Sequence, residues 1–448
     1  MLNELQQEAQ KLKINLDVEG QDQLDRYLTY LASLLKGRDI KDLQEVKEIT
    51  TLKKIKRIIT SIYLILNNQP VTENEYELQT EDLLIVDLNQ SLEKDEEVRS
   101  FQANNNLDKI AWVKCFWNQE RHIFDLVIFI NNNQIPIKTK SLIAPVFNDL
   151  GELAAIQETE QGETVNFKGQ TWQKKYDKIN QIEFAGDDYI LAIVSHGSIS
   201  FIADGKQRVS VTGDLNTYSK LTANKDFYAC VYQKKIGDWP NQQTRYRIMN
   251  EKLGISGGIK SSKEVFKTVT GLKMFPNDSR YVATVEFDSG YGLSIMDKYL
   301  KENFKNAHSP VVSPDGQQVA CVCEPLKDIW TVFIYNVQTK KKKFWNYNFK
   351  LDDDKISRPQ IPVFSHNGEL IAARLRNRET KYKNNLFKDD VTKYQLVING
   401  KVDKTEYYNI HKIIFTEDDK KVVMLVEKEP GVFYRVVREV DDILTDRK

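Results

Sequence analysis

Residues 309–320 read Ser309-Pro310-Val311-Val312-Ser313-Pro314-Asp315-Gly316-Gln317-Gln318-Val319-Ala320: an apolar strand, a tight turn and the start of a second apolar strand. The same text returns at Ile361-Pro362-Val363-Phe364-Ser365-His366-Asn367-Gly368-Glu369-Leu370-Ile371-Ala372. Asp-Gly and Asn-Gly accept the positive φ that a tight hairpin turn demands. Internal repetition of this kind sets the architecture before any catalytic motif is sought, because each unit needs neighbours to bury its apolar faces.

Weaker copies extend the series. The last apolar residue before each turn gives Phe147, Phe184, Leu221, Phe275, Val312, Phe364 and Phe415, spaced by 37, 37, 54, 37, 52 and 51 residues. A four-stranded blade takes roughly 40 residues. The short gaps therefore hold one blade each, and the long gaps hold a blade with one enlarged loop. The turns are Asp149-Leu150-Gly151, Gly186-Asp187-Asp188, Asn277-Asp278-Ser279 and Glu417-Asp418-Asp419, and only Leu221-Thr222-Ala223-Asn224-Lys225 has lost the pattern. A regular series of this length predicts a mainly β protein, a β-propeller.

Between the anchors, residues 164–169, 199–205 and 394–400 alternate with period two and end in a glycine turn, as strands do. Residues 109–117 and 123–130 read as further strands ahead of the first anchor, so the ring has seven or eight blades. Ring closure is expected to join strands from 107–140 with the C-terminal strand 432–437 in one blade. Closure of that kind leaves no open sheet edge.

With 448 residues, 41% of them hydrophobic, the chain buries a large core. Its 64 basic and 64 acidic residues cancel, which argues against a global nucleic-acid or membrane-surface role. The N-terminus has no basic start followed by an apolar core, and no stretch reaches the roughly 18 apolar residues of a membrane span. Four cysteines (Cys115, Cys230, Cys321, Cys323) are few for this length, and the expectation is a cytoplasmic protein with reduced thiols.

Residues 1–75 differ in kind. Leu2, Leu5, Ala9 and Leu12, then Leu24, Leu28, Leu31 and Leu35, fall at helical spacing. A third run, with Ile55, Ile59 and Ile62 on a wide apolar face, ends at Asn67-Asn68-Gln69-Pro70. These helices either bury one another or offer a docking face to another subunit. Residues 76–106 are acidic and polar and read as a linker with one short strand at 83–88. The propeller is expected over 107–448.

Catalytic and metal motifs are scarce. Gly254-Ile255-Ser256-Gly257-Gly258 matches G-x-S-x-G, but that motif needs a buried strand before the serine and a helix after it. Neither is legible here, and a loop in an enlarged blade fits better. Cys321 and Cys323 share one face of a strand, yet a zinc site needs two more ligands with comparable spacing. They read as packed core thiols. The histidines are scattered, Asp352-Asp353-Asp354 lacks a calcium loop's alternation, and no phosphate-binding glycine pattern occurs. No cofactor, metal or catalytic residue is assigned.

Surface features are more informative. Lys340, Lys341, Lys342 and Lys343 precede Phe344 and Trp345, and Arg374, Arg376 and Arg378 open a long insertion continuing through Lys381, Lys383 and Lys388. The other enlarged segment, 233–263, carries Trp239-Pro240. Insertions enlarge loops on one face of a propeller, where binding concentrates. A charge run is more often just a solvated face.

Ser313-Pro314-Asp315-Gly316 followed by Val319-Ala320, with the Phe275 and Phe364 copies, resembles the TolB-type, WD-like propeller repeat over roughly 107–441. The element Val165-Asn166-Phe167-Lys168-Gly169-Gln170-Thr171-Trp172 is similar to one in the cytoplasmic propeller subunit of Tmc-type transmembrane electron-transfer complexes of sulfate-reducing bacteria. That second resemblance implies a non-catalytic partner of iron–sulfur and cytochrome subunits, peripheral to a membrane complex. Bacterial origin goes with it. The expected function is a scaffold or adaptor, not an enzyme, contacting other protein subunits through the residues named above. The alternative is an enzyme or small-ligand binder using the central channel. An enzyme should gather several acidic, histidine or arginine residues at one channel mouth, and a scaffold should show an apolar patch on the helices or on the enlarged loops. A nucleic-acid adaptor, an unlikely partner class on charge, requires the two basic runs to share one face.

Overall fold

The repeat's signature folds into the turn between the first two strands of a blade, and hydroxyls lock it. Ser313 Oγ accepts from the Gln318 N–H at 2.9 Å, Ser365 Oγ from the Leu370 N–H at 3.0 Å and Thr416 Oγ1 from the Lys421 N–H at 3.1 Å. Gly316, Gly368 and Asp419 take φ values of 68°, 74° and 58° in the same place. Hydroxyl-to-backbone bonds of this type stabilise turns in place of ladder bonds.

The computed structural model describes residues 82–445, apart from short segments within that range such as 211–214, 238–241, 254–259, 346–354 and 384–386. The helices expected over 1–75, with Ile55, Ile59 and Ile62, lie outside the described residues. Leu83–Lys448 forms one compact unit.

Eight four-stranded antiparallel sheets make the ring, so the larger of the two expected blade counts holds. Strand β1 (Leu83–Asp87) opens the described chain and is used last. Blade 1 is β2 (Glu97–Ala103), β3 (Ile110–Asn118), β4 (Ile123–Ile130) and β5 (Asn133–Thr139). Blade 2 is β6 (Val146–Phe147), β7 (Leu153–Thr159), β8 (Gly162–Phe167) and β9 (Gln170–Thr171). Blade 3 follows as β10 (Lys178–Phe184), β11 (Ile190–His196), β12 (Ile199–Ala203) and β13 (Arg208–Val209). Blade 4 is β14 (Leu221–Ala223), β15 (Phe227–Ile236), β16 (Gln243–Lys252) and β17 (Lys260–Ser261). Blade 5 is β18 (Thr268–Met274), β19 (Tyr281–Phe287), β20 (Gly290–Ile295) and β21 (Lys298–Phe304). Blade 6 comprises β22 (Asn306–Val312), β23 (Gln318–Leu326), β24 (Ile329–Asn336) and β25 (Lys342–Phe344). Blade 7 is β26 (Lys355–Phe364), β27 (Ile371–Lys383), β28 (Phe387–Ile398) and β29 (Lys401–Val402). Blade 8 takes β30 (Asn409–Phe415), β31 (Lys421–Glu429) and β32 (Val432–Glu439) from the end of the chain, and β1 pairs with β32 as its fourth strand. A short helix, α1 (Val440–Leu444), follows.

Ring closure thus differs from the expectation. The closing strand is β1, not one from 107–140, and β3 to β5 belong to blade 1. Residues 83–103, read from composition as linker, supply β1 and β2. The strand expected at 83–88 is β1, while the acidic flank at 93–97 masks β2; their inward residues, Val86 and Ala103, are buried.

First strands of successive blades adjoin one another and so line the central channel, while fourth strands lie outermost. The turns between first and second strands and between third and fourth strands share one face, the turn face. Hairpins between second and third strands occupy the other, the hairpin face. Second strands have neighbours on both sides, which is why they read as unbroken apolar runs rather than alternating ones. In β23, Cys321 and Cys323 pack with Phe275, Val282 and Leu293 of blade 5, while Ala320 packs with Phe364 and Ile371 of blade 7. The cysteine pair is therefore core, as its spacing suggested, and burial pushes both thiols up.

Hydrogen bonds cross every junction between blades. Asn105 Nδ2 donates to Asp149 Oδ1, Asn148 Nδ2 to Asp187 O, Gln181 Nε2 to Leu221 O and Asn224 Nδ2 to Phe275 O, each at 2.8 Å. Thr270 Oγ1 donates to Ala307 O at 2.5 Å, Gln318 Nε2 to Gly368 O at 3.0 Å, the Asn367 N–H to Asp419 Oδ2 at 2.9 Å and Lys412 Nζ to Ala103 O at 3.0 Å. His366 joins the seventh of these junctions through Nδ1 and Asp419 Oδ1, a structural clamp.

Candidate functional site: the channel mouth and the two faces

The register of the first strands decides what the channel wall presents. In each blade, the residue one before the last pair of the first two strands takes the same place. That place is polar in blades 1, 3, 4 and 5, with Gln102, Glu183, the buried Thr222 and Lys273 paired against Ala111, Leu191, Ala229 and Val282. It is apolar in blades 2, 6, 7 and 8, with Val146, Val311, Val363 and Ile414. At the turn-face mouth, between blades 1 and 5, the wall recedes into a cavity of about 600 Å³. Eight blades set the first strands on a wide circle, so side chains alone do not fill the mouth.

Burial pushes the Glu183 carboxyl up to about 7, with the Lys273 ammonium and the Ala223 N–H pulling the other way. Lys412 lies in the wall of blade 8, where Nζ donates to Ala103 O, Asn104 O and Asn105 Oδ1. Burial pushes it down to about 8, against the pull of Asp149 and with the help of Lys273. Charged groups from different blades thus converge on one mouth, the acidic Asp149, Glu183 and Asp187 with Lys225, Lys273 and Lys412, and none of these is a histidine or arginine.

Glu183 makes stability depend on pH. Between 4.5 and about 7 the folded chain holds a proton that the unfolded chain has released. The stabilisation is fully present below the lower value and is lost as pH rises through the upper one. Glu183→Gln should remove that loss, gaining roughly 1–3 kcal/mol on the parent between pH 4 and pH 8 in urea unfolding. Parallel pH profiles for parent and variant would contradict it.

The basic and aromatic residues singled out in the sequence separate in space. Lys340 and Lys341 form the turn before β25 on the turn face, and Lys342 pairs with Glu302 at 2.6 Å on the outer edge of blade 6. Lys343 is exposed on the same edge strand. Trp345, expected at a docking surface, is instead 5% exposed and packs with Val332, Phe364 and Ile371 between blades 6 and 7. Strand alternation turns Phe344 outward and Trp345 inward. Arg374 is likewise drawn into structure: its guanidinium lies over Tyr394 and donates to Gln360 Oε1, Asn409 Oδ1 and Ile410 O across the junction of blades 7 and 8. Arg376 is half-buried two residues along the same strand. Arg378 pairs through its backbone with Ile356 and Thr392. The β27–β28 hairpin ends on the hairpin face, opposite the Lys340 turn, so the shared face that a nucleic-acid adaptor requires is not formed. Trp239 and the Gly254–Gly258 motif lie outside the described residues.

One feature escaped sequence reading. Among the described residues, five of the eleven exposed large hydrophobic side chains sit at second-to-third-strand hairpins: Trp117, Phe124, Ile199, Ile236 and Leu326. They come from blades 1, 3, 4 and 6 and all belong to the hairpin face. Trp117 and Phe124 meet edge to face, ring centres 5.0 Å apart, with 45% and 57% of their surfaces exposed. All five lie at the ends of paired strands next to the hairpin turns, where no neighbouring blade covers them.

The Gly169–Trp172 element has a packing explanation. Gly169 makes the β8–β9 turn at φ 76°, and Trp172 then lies over Gly205 in the corresponding turn of blade 3, where a Cβ would fall 2.5 Å from the indole ring. No group of three His, Cys, Asp or Glu side chains able to hold a metal ion occurs among the described residues, and no described helix is long and apolar enough to cross a membrane.

No family model and no curated protein matches the chain. Solved propellers resemble it. The propeller domain of the Trilobed protease from Pyrococcus furiosus is 12% identical, covering 70% of this chain and 95% of that one at a TM-score of 0.41. The C-terminal WD40 domain of Sif2 is 10% identical over 80% of this chain and 97% of that one, TM-score 0.39. TolB from Acinetobacter baumannii is 11% identical over 83% of each chain, TM-score 0.32. Likenesses this distant concern propeller architecture and carry nothing about partner or activity.

Proposed function

We propose that this propeller is a non-catalytic scaffold whose hairpin face docks another protein subunit. The observation that supports the reading is the set of apolar side chains carried outward on hairpins of four blades. Contiguous exposed apolar groups such as the Trp117–Phe124 pair mark interaction surfaces, and aromatic anchors carry a disproportionate share of interface energy. The long β15–β16 and β27–β28 hairpins rise on the same face and would flank the partner.

The finer setting we propose is a redox assembly with iron–sulfur or cytochrome subunits, on the cytoplasmic side of a membrane complex. It rests on the Gly169–Trp172 resemblance alone. One purification tests both levels. The tagged chain, isolated from its source under native conditions, should bring down a stoichiometric partner that Trp117→Ala/Phe124→Ala releases, with at least a 30-fold loss of affinity. The variant's thermal midpoint should stay close to the parent's, since both rings are exposed. Bound iron or haem absorbance in the co-eluting fraction carries the redox setting. Retention of the partner by the double variant removes the hairpin face from the interface, and a chain eluting alone removes the scaffold reading.

A further inference from the structure

The turn-face mouth lies at the opposite end of the channel from the docking face and is built differently. Its cavity of about 600 Å³ has the size of a small-molecule site rather than of a single trapped water. Glu183 and Lys273 reach it from blades 3 and 5 and are farther apart than an ion pair. Lys273 acts on Glu183 through its charge alone, and the Gln102 amide lines the same cavity. Lys273 is exposed at the mouth and Glu183 and Gln102 are half-buried, so all three are open to a ligand entering from solvent. Phe184 and the edge of the largely buried Met274 are among the apolar residues that line the cavity.

We propose that this mouth binds a small zwitterion with an apolar side chain, of the α-amino acid type. The carboxylate lies against Lys273, the ammonium against Glu183, the Gln102 amide spans the two, and the side chain rests on Phe184 and Met274. A ligand with one charge satisfies half of the site and leaves the other half unpaired, so the site discriminates against it. The ammonium requires Glu183 ionised, and burial holds that carboxyl near 7. Affinity should therefore rise roughly tenfold per pH unit up to that value and level off above it. The other charges facing Glu183 are Lys273 and Lys225, with Asp149 and Asp187 on the neighbouring turns and Lys412 in the wall.

Calorimetric titration of the full chain at pH 8 tests this, using L-leucine, L-methionine and L-phenylalanine as probes. Each is compared with its analogue lacking the ammonium and its analogue lacking the carboxylate; for leucine these are 4-methylpentanoate and 3-methylbutylamine. At least one amino acid should bind at submillimolar concentration, with both analogues weaker by tenfold or more. Lys273→Met and Glu183→Gln should each cost at least tenfold, and Gln102→Leu serves if either variant fails to fold. Absence of binding below about 10 mM for every apolar amino acid overturns the proposal. So does equal binding of a singly charged analogue, or parental affinity in the variants.

Discussion

Val86→Asp should destabilise the ring by about 3–5 kcal/mol, read as a fall in the urea midpoint and early proteolytic cleavage between β1 and β2. Val86 is 1% exposed and packs with Phe433 and Leu425 of blade 8 and with Trp112 of blade 1. A carboxylate there has no cationic partner, and its desolvation is uncompensated. The loss also falls where the ring is joined: β1 has only β32 beside it, so weakening its inward side chain releases the whole strand. Leu84→Asp is the control. That side chain is 49% exposed, and the variant should stay within about 1 kcal/mol of the parent. Equal midpoints for the two variants would show that β1 does not hold the ring closed.

Trp112→Ala should cost about 3–5 kcal/mol by the same assay. The indole is completely buried, stacks on Phe129 with ring centres 4.5 Å apart, and donates from Nε1 to Asn131 O at 2.7 Å. Truncation leaves a cavity beside Val423 and Leu425 of blade 8 and strands a carbonyl. Trp112→Phe keeps the stacking and most of the volume but still strands the carbonyl, so it should cost about 1–3 kcal/mol. A Trp112→Ala chain within 1 kcal/mol of the parent would mean that this side of the blade 8 to blade 1 junction is slack.

Sequence made the blades legible where chemistry is local. The Ser313 and Ser365 turns announce themselves because a hydroxyl, a small acidic or amide residue and a glycine are all needed within four positions. Blade 1 lacks that signal: its turn follows Ala103-Asn104, and Leu107 rather than a glycine takes φ 57°. Its strands were still visible at 109–117 and 123–130, which left the count open between seven and eight. The closing strand is not legible in the sequence, because nothing within β1 names a partner in β32. Trp345 and Arg374 were read as surface features because neighbouring lysines and arginines look solvated, whereas alternation in one case and a junction in the other take them inside. The channel residues were invisible for the opposite reason. Gln102, Glu183 and Lys273 each look like an ordinary outward position on an amphipathic strand, and only the closed ring brings them to one cavity.

Closure of the ring by β1 also has a consequence for the nascent chain. Asn89, just after β1, donates to Pro430 O, 341 residues away. At a synthesis rate of about 5–20 residues per second, β1 leaves the ribosome on the order of 20–70 s before its partner exists. During that interval blades 1 to 7 can assemble in order, each on the one before, while Leu83, Leu84 and Val86 remain an unpaired apolar segment. β1 can therefore reach its native pairing only once β32 has been made.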